Sequence, residues 1–196
     1  MTDKLLKAAV RSKFAITSRA QASRQIRRLA DKYLQLAAGL DPHSGATPYQ
    51  VPKMPGVDED MRGWSFYMLL EHNTIVNRLI ADIVESLSKG EMPKVAGKVD
   101  PKAGVMPGEN PGPEQVEAFR LSVDDYLELL PSLESLKGTA TRPHPVFGDF
   151  DAHQWHCMFG FHLMIHYKQA AKILKGVTYK PRETAITDLH IDRRPG

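Results

Sequence analysis

The chain has 196 residues, 42% of them hydrophobic and 25% charged, and a net charge of +3. This composition is typical of a single globular domain, here taken as residues 1–196, and excludes a disordered or collagen-like chain. The one cysteine, Cys157, excludes an internal disulfide framework and a zinc cluster built from cysteines alone. No apolar run approaches the roughly 20 residues of a membrane span, and the first residues lack the apolar stretch of a secretory signal. We therefore expect a cytoplasmic protein without a membrane partner.

Basic residues concentrate in the first 40 positions, which hold nine Lys and Arg against two Asp. Such a segment can bind nucleic acid or another anionic surface. We favour a solvated helix face, because no aromatic residues interleave with the arginines as a stacking platform would require. Nucleic acid is therefore not an expected partner. A non-enzymatic binding or stress-response module acting through this basic N-terminal face stays open as the alternative function.

The first two predicted helices cover residues 18–40 and 64–89, where apolar residues recur with the helical period. In the second helix Ser65 is placed to cap the N-terminus, and Gly90 is placed to end it. The apolar face of the first helix contains Ala22, Ile26, Leu29, Ala30, Tyr33 and Ala37. That of the second contains Met68, Leu69, His72, Ile75, Val76, Leu79 and Ile83, with His72 as its one polar residue.

Two further helices are predicted in the second half of the chain. The third begins at residues 113–114, where a proline and an acidic residue suit a first turn, and Pro131 ends or kinks it. The fourth covers residues 151–175, with Asp151 and Gln154 as a capping box and Gly176 as its stop.

The remaining segments are irregular: residues 41–63, a long connection at 90–112, and a polar tail at 177–196. No segment alternates β-branched residues well enough to predict a sheet. Four amphipathic helices with one long connection between the second and the third predict an all-α fold. We expect a four-helix bundle with a crossover, whose core spans about residues 15–175.

Five of the eight histidines lie between His144 and His166. His162 and His166 are four residues apart, so they lie about 40° apart on one face of the fourth helix. Such a pair can present two imidazole nitrogens to one cation. Two core histidines that are each satisfied by a backbone carbonyl or a buried water are the alternative.

His72 favours the metal interpretation, because three inward-facing histidines would then meet on two helices of a bundle, where such folds build metal sites. We predict that His72, His162 and His166 bind one cation at about 2.0–2.2 Å. His153 and His156 project from the sides or back of the fourth helix, which predicts surface or interface positions for them.

The chain resembles the DinB-like (DinB/YfiT-type) superfamily in three features: Trp64-Ser65 opening a helix, His72, and His162-x-x-x-His166 on the last long helix. The segment from His144 to Gln169 is similar to an uncharacterised subgroup of these proteins. The resemblance implies a four-helix bundle that holds nickel or zinc through the three histidines. It also implies a small-molecule substrate, a low-molecular-weight thiol as co-substrate, S-transferase or hydrolase activity, and a homodimer.

Other sites are excluded by the residues themselves. There is no GxGxxG motif or P-loop, and the His162–His166 segment lacks the glutamate of HExxH. Cys157 lies about 140° around the helix from His162, so we interpret it as a packed residue rather than a fourth ligand. A carboxylate or amide could hydrogen-bond to the ligand rings, and the sequence does not choose among the candidates Glu71, Asn73, Asp149 and Asp151.

Three neutral imidazoles leave a bound cation its full charge and open coordination positions, so it can activate water or a thiol. Structural zinc sites almost always use four protein ligands, and only three are found here. The sequence therefore predicts a catalytic site and leaves thiol transfer and hydrolysis both open.

Overall fold

The computed structural model describes residues 2–91, 103–138 and 140–178. Six α-helices make up most of this part of the chain: α1 (Thr2–Ile16), α2 (Arg19–Ala37), α3 (Pro42–Ala46), α4 (Phe66–Ser88), α5 (Glu114–Leu129) and α6 (Ala152–Thr178). An antiparallel hairpin of β1 (Arg142–His144) and β2 (Gly148–Phe150) precedes α6. Short 3-10 turns occur at Glu59–Met61, Ala103–Val105 and Leu130–Ser132. No helix among the described residues is long and apolar enough to cross a membrane.

The four longest helices form a bundle. Both α2 and α4 pack against α5 and α6, so α2 and α4 occupy opposite corners. The interior is filled by fully buried side chains from all four helices, among them Ile26, Tyr33, Leu69, Ile80, Phe119, Tyr126, Phe159 and Leu163. The prediction of an all-α four-helix bundle is confirmed.

Hydrogen bonds confirm the predicted starts of the first, second and fourth helices. The Ser65 hydroxyl accepts from the Met68 N–H at 3.2 Å. The Ser18 hydroxyl accepts from the backbone N–H of Gln21, whose side chain accepts from the Ser18 N–H in return. Asp151 and Gln154 make the same reciprocal pair at the start of α6. Each pair satisfies N–H groups that an α-helix leaves without partners in its first turn.

Three sequence predictions are corrected. The residues before Ser18, which no predicted helix included, form α1, and a hairpin exists where no sheet was expected. In addition, α6 continues through Gly176, which lies inside the helix against the ring of Tyr49 and does not end it. A Cβ atom there would lie 2.1 Å from a ring carbon of Tyr49. By contrast, Gly90 has φ of 75° just after α4, as the predicted end requires.

Two predicted segments are described only in part. The irregular connection at 90–112 is described at 90–91 and 103–112, where the 3-10 turn Ala103–Val105 contacts α4. Most of the predicted polar tail, residues 179–196, lies outside the described residues.

Candidate metal centre

Three imidazole rings meet inside the bundle. His72 lies on α4, and His162 and His166 lie one turn apart on α6. Their ring centroids are separated by 5.1 Å (His72–His162), 4.8 Å (His72–His166) and 4.5 Å (His162–His166). One nitrogen from each ring lies within 4.8 Å of the other two. The structure thus brings together the three histidines that the spacing singled out.

His72 is fixed by the connection that precedes α5. Its Nδ1–H donates to the backbone carbonyl of Val105 at 2.6 Å, so its Nε2 carries a lone pair. The indole of Trp64 lies against the other side of the ring, with a centroid distance of 5.0 Å. Together these contacts hold the buried His72 ring in one orientation, with Nε2 towards α6.

His166 is fixed by a hydrogen-bond chain. The Nε2–H₂ group of Gln169 donates to the Met61 carbonyl at 2.7 Å, which leaves the Gln169 amide oxygen free to accept. That oxygen lies 2.8 Å from Nδ1 of His166 and accepts a hydrogen bond from the Nδ1–H group. The Nε2 of His166 therefore also carries a lone pair. Histidine ligands are commonly oriented in this way by a partner on the other ring nitrogen.

His162 completes the group with a different environment. Its Nε2 lies 3.2 Å from Nε2 of His72. Its Nδ1 is buried and has no hydrogen-bond partner among the described residues. The side chain as a whole keeps some exposure, in contrast to His72 and His166. Within the described part, the His72 Nε2 is therefore the one polar contact to the His162 ring.

All three rings are neutral at neutral pH. Burial lowers the pKa of His72, and burial together with the neighbouring His72 ring lowers the pKa of His166 to about 3. Burial also holds the pKa of His162 well below its ordinary value, helped by the nearby rings of His166 and His72. Neutral imidazoles are the form that binds metal ions.

The group fits a divalent cation. The Nε2 lone pairs of His72 and His166 lie on rings whose centroids are 4.8 Å apart, and Nε2 of His162 lies 3.2 Å from that of His72. One divalent cation can accept a lone pair from each of the three rings. Two nitrogens on one tetrahedral Zn²⁺ stand about 3.3 Å apart, close to the observed 3.2 Å between His72 and His162. Within the described residues, no fourth His, Cys, Asp or Glu joins the group. Three buried histidines can therefore hold a metal and leave coordination positions open.

The prediction for His153 and His156 is wrong, because both are buried, at 3% and 0% exposure. The His153 Nε2 lies 2.9 Å from the carbonyl oxygen of Thr17 and links α6 to the end of α1. The His156 Nδ1 accepts from the Tyr126 hydroxyl at 2.8 Å, and its Nε2–H faces the Arg19 carbonyl at 3.2 Å. Both histidines connect helices and lie outside the three-ring group.

The residues that orient the ligands were not identified from sequence. None of the four candidates makes a hydrogen bond to the three rings in the described part: Glu71 accepts from the Gly108 N–H, Asp151 caps α6, the carbonyl of Asp149 accepts from Arg11, and Asn73 is buried without a partner. The orienting groups are instead Gln169 and a backbone carbonyl. A backbone acceptor leaves no signal in the sequence, whereas Gln169 could have been found from its place one turn after His166.

Cys157 is buried and does not belong to the three-histidine group. Burial raises the pKa of its thiol to about 12. The interpretation of Cys157 as a packed residue rather than a ligand agrees with this environment.

Comparison with known protein families agrees with the fold. Searches of curated proteins and of solved structures gave no match. A family model described as the DinB superfamily matches residues 25–170, a span that includes all three clustered histidines. Because the match covers most of the chain and nearly the whole bundle, this protein belongs to the DinB superfamily.

Proposed function

We propose that the protein is a metal-dependent enzyme that binds one nickel or zinc ion through His72, His162 and His166 and acts on a small molecule. The observation that carries this proposal is the convergence of ring nitrogens whose protons face away from the centre, towards Val105 and Gln169. His156, which lies outside the group, instead has protein partners on both ring nitrogens.

A divalent cation held by three neutral ligands would supply Lewis acidity, which lowers the pKa of a bound water or thiol towards neutrality. The chain's own residues prepare the site. The Val105 carbonyl and Gln169 hold two ligand rings, and Trp64 packs against His72. Since only three ligands are present in the described part, coordination positions remain for water or a low-molecular-weight thiol. Thiol S-transfer and hydrolysis are the two proposed reactions, and a homodimer stays a prediction.

Metal removal tests this proposal. The zinc- or nickel-loaded protein is screened with a thiol plus an electrophile and, separately, with an ester, and each assay is repeated after chelation. We expect one activity that chelation and His162→Gln both abolish, while His153→Gln retains it. The metal-free protein should stay folded, because loss of a ligand costs stability only through mass action. A metal-free protein that is unfolded at room temperature would make the metal structural.

A binding module acting through α2 is the second candidate. Arg24, Arg27 and Arg28 are exposed on its outer face and have no ion pair or hydrogen bond within the described part of the chain. They line a groove of about 620 Å³ beside the end of α1. If this face binds a polyanion, affinity for duplex DNA must fall steeply with salt. Binding that is absent at low salt would exclude this candidate.

A further inference from the structure

The hairpin before α6 carries two hydrogen-bond donors that the fold does not use. Alternation along β1 places the side chains of Arg142 and His144 on the same face. Both are half-buried, while Pro143 between them is exposed. The hairpin is anchored on both sides: Arg11 of α1 donates to the carbonyls of Phe147 and Asp149 at 2.9 Å, and the indole N–H of Trp155 donates to the Arg142 carbonyl at 3.4 Å.

His144 is held with its Nε2 proton unpaired. Its Nδ1 accepts from the backbone N–H groups of Val146 at 3.1 Å and Phe147 at 3.4 Å, so the proton of the neutral ring is on Nε2. Burial lowers the pKa of His144 to about 4, which keeps the ring neutral. Among the described residues Nε2 has no partner, yet it is not one of the buried unsatisfied atoms. This N–H therefore remains open to a ligand.

Arg142 has the stronger requirement for a partner. Its Nη1 is buried and has no hydrogen-bond acceptor in the described part of the chain, and no ion pair to Arg142 is found there. Burial lowers the pKa of this guanidinium, so its charge is only partly solvated. A buried cationic donor without an acceptor is costly, and an oxyanion is the group that fits the planar fork of arginine.

This face lies beside the three-histidine centre. His144 packs on the indole of Trp155, with ring centroids 5.3 Å apart. Trp155 precedes His162 by two helical turns on the same face of α6, a rise of about 10 Å. His144 is also near enough to contribute to the lowered pKa of His162. A small molecule is long enough to span the roughly 10 Å along α6 from Trp155 to His162.

We propose that Arg142 and His144 bind the oxyanion group, a carboxylate or a phosphate, of a small molecule next to the three-histidine centre. The guanidinium and the Nε2–H of His144 donate to its oxygen atoms. The further idea that this molecule is the substrate, with its other end at the metal, rests on the proposed function. The anion site itself does not.

The two tryptophans of the chain provide separate reporters. Trp155 donates to the Arg142 carbonyl, and Trp64 packs on His72. The zinc-supplemented full-length ¹⁵N-labelled protein is titrated with acetate and, separately, with inorganic phosphate at constant ionic strength. We expect a saturable shift of the Trp155 indole N–H resonance with at least one of them, and the more effective anion identifies the group. The same shift should persist in His162→Gln.

Variants test the assignment of the donors. Arg142→Met keeps most of the stem and should weaken anion affinity at least about tenfold, whereas His144→Phe keeps the ring contacts and should weaken it several-fold. The exposed residues Arg78 and His43 give matched controls, Arg78→Met and His43→Phe, which should bind as the wild type does. If Arg142→Met does not fold, Arg142→Lys replaces it, since lysine lacks the fork.

The outcomes separate the two proposals. A Trp155 shift that does not saturate with either anion, or equal affinity in the wild type and the Arg142 variant, overturns the anion site. A saturable Trp155 shift in a protein that takes up neither zinc nor nickel keeps the anion site and overturns the metal proposal instead. Zinc uptake that changes the Trp64 resonance, without any anion effect on Trp155, keeps the metal proposal and overturns the anion site.

Discussion

His156 and His166 are both buried on α6, but their ring nitrogens are used differently. The protein occupies both nitrogens of His156, through Tyr126 on one side and the Arg19 carbonyl on the other. In His166 the protein occupies only Nδ1, and Nε2 faces two further imidazoles. Burial therefore does not distinguish a structural histidine from a candidate ligand. The distinction lies in which nitrogens are left without a protein partner.

The largest difference is expected when a histidine of the three-ring group is replaced and the result is compared with replacement of His153 or His156. His166→Gln removes a proposed ligand, so metal affinity should fall by more than about 100-fold, beyond the usual effect of losing an orienting residue. His156→Gln and His153→Gln should leave the metal stoichiometry of the purified protein unchanged. Elemental analysis after gel filtration measures this, and equal losses from all three variants would contradict the division into two groups.

Acid should lower the free energy of unfolding through His156, a buried histidine outside the three-ring group. Burial lowers the pKa of His156 from 6.5 to about 4 in the folded protein, so the unfolded chain takes up its proton first. Stability from the neutral ring is complete above pH 6.5 and is lost as the pH falls towards 4, by roughly 3 kcal/mol. Denaturant unfolding between these pH values should show a smaller decrease for His156→Gln. An unchanged decrease would mean that His156 is not the group responsible.

Gln169 orients the proposed ligand His166 through a hydrogen bond to its Nδ1. In Gln169→Leu, Nδ1 of His166 loses its acceptor and the Met61 carbonyl loses its donor. Metal affinity should fall about 10- to 100-fold, measured by competition with a chelating dye. Gln35 is an exposed glutamine on α2, and Gln35→Leu should have no effect. An affinity that Gln169→Leu leaves unchanged would show that the His166 ring needs no such support.

The smallest effect is expected at Cys157. Its thiol is buried with a pKa raised to about 12, so alkylation of the folded protein should be slow and should become fast on unfolding. Cys157→Ala should leave metal content unchanged and cost about 1 kcal/mol or less. Rapid labelling of the folded, metal-free protein would place this thiol in an accessible site and contradict its packed position.

Periodicity was sufficient to predict the bundle, because its helices each bury one continuous apolar face and have capping residues such as Ser18 and Ser65. It was not sufficient for α1, whose buried residues Val10 and Phe14 lie beside exposed Leu5, Leu6 and Ile16. It also missed the hairpin, since β1 contains a proline and both strands have three residues. The two short strands are stabilised by tertiary hydrogen bonds from Arg11 and Trp155.

The candidate site was predictable to the same extent. Helical phase brought His72, His162 and His166 to the interior. The same phase argument failed for His153 and His156, because α6 is packed by α1, α2, α4 and the hairpin and has little solvent-facing back near its start. Phase gives the direction of a side chain, and only the arrangement of the other elements decides whether that direction leads to water.

X-ray absorption spectroscopy of the protein loaded with zinc or nickel tests the central claim most directly. We expect one ion per chain, with imidazole nitrogens at about 2.0–2.2 Å and oxygen or sulfur ligands in the remaining positions. His162→Gln should remove the bound ion, and His156→Gln should give a spectrum like that of the wild type. A wild-type protein that binds neither ion, or binds one without imidazole ligands, would contradict the account.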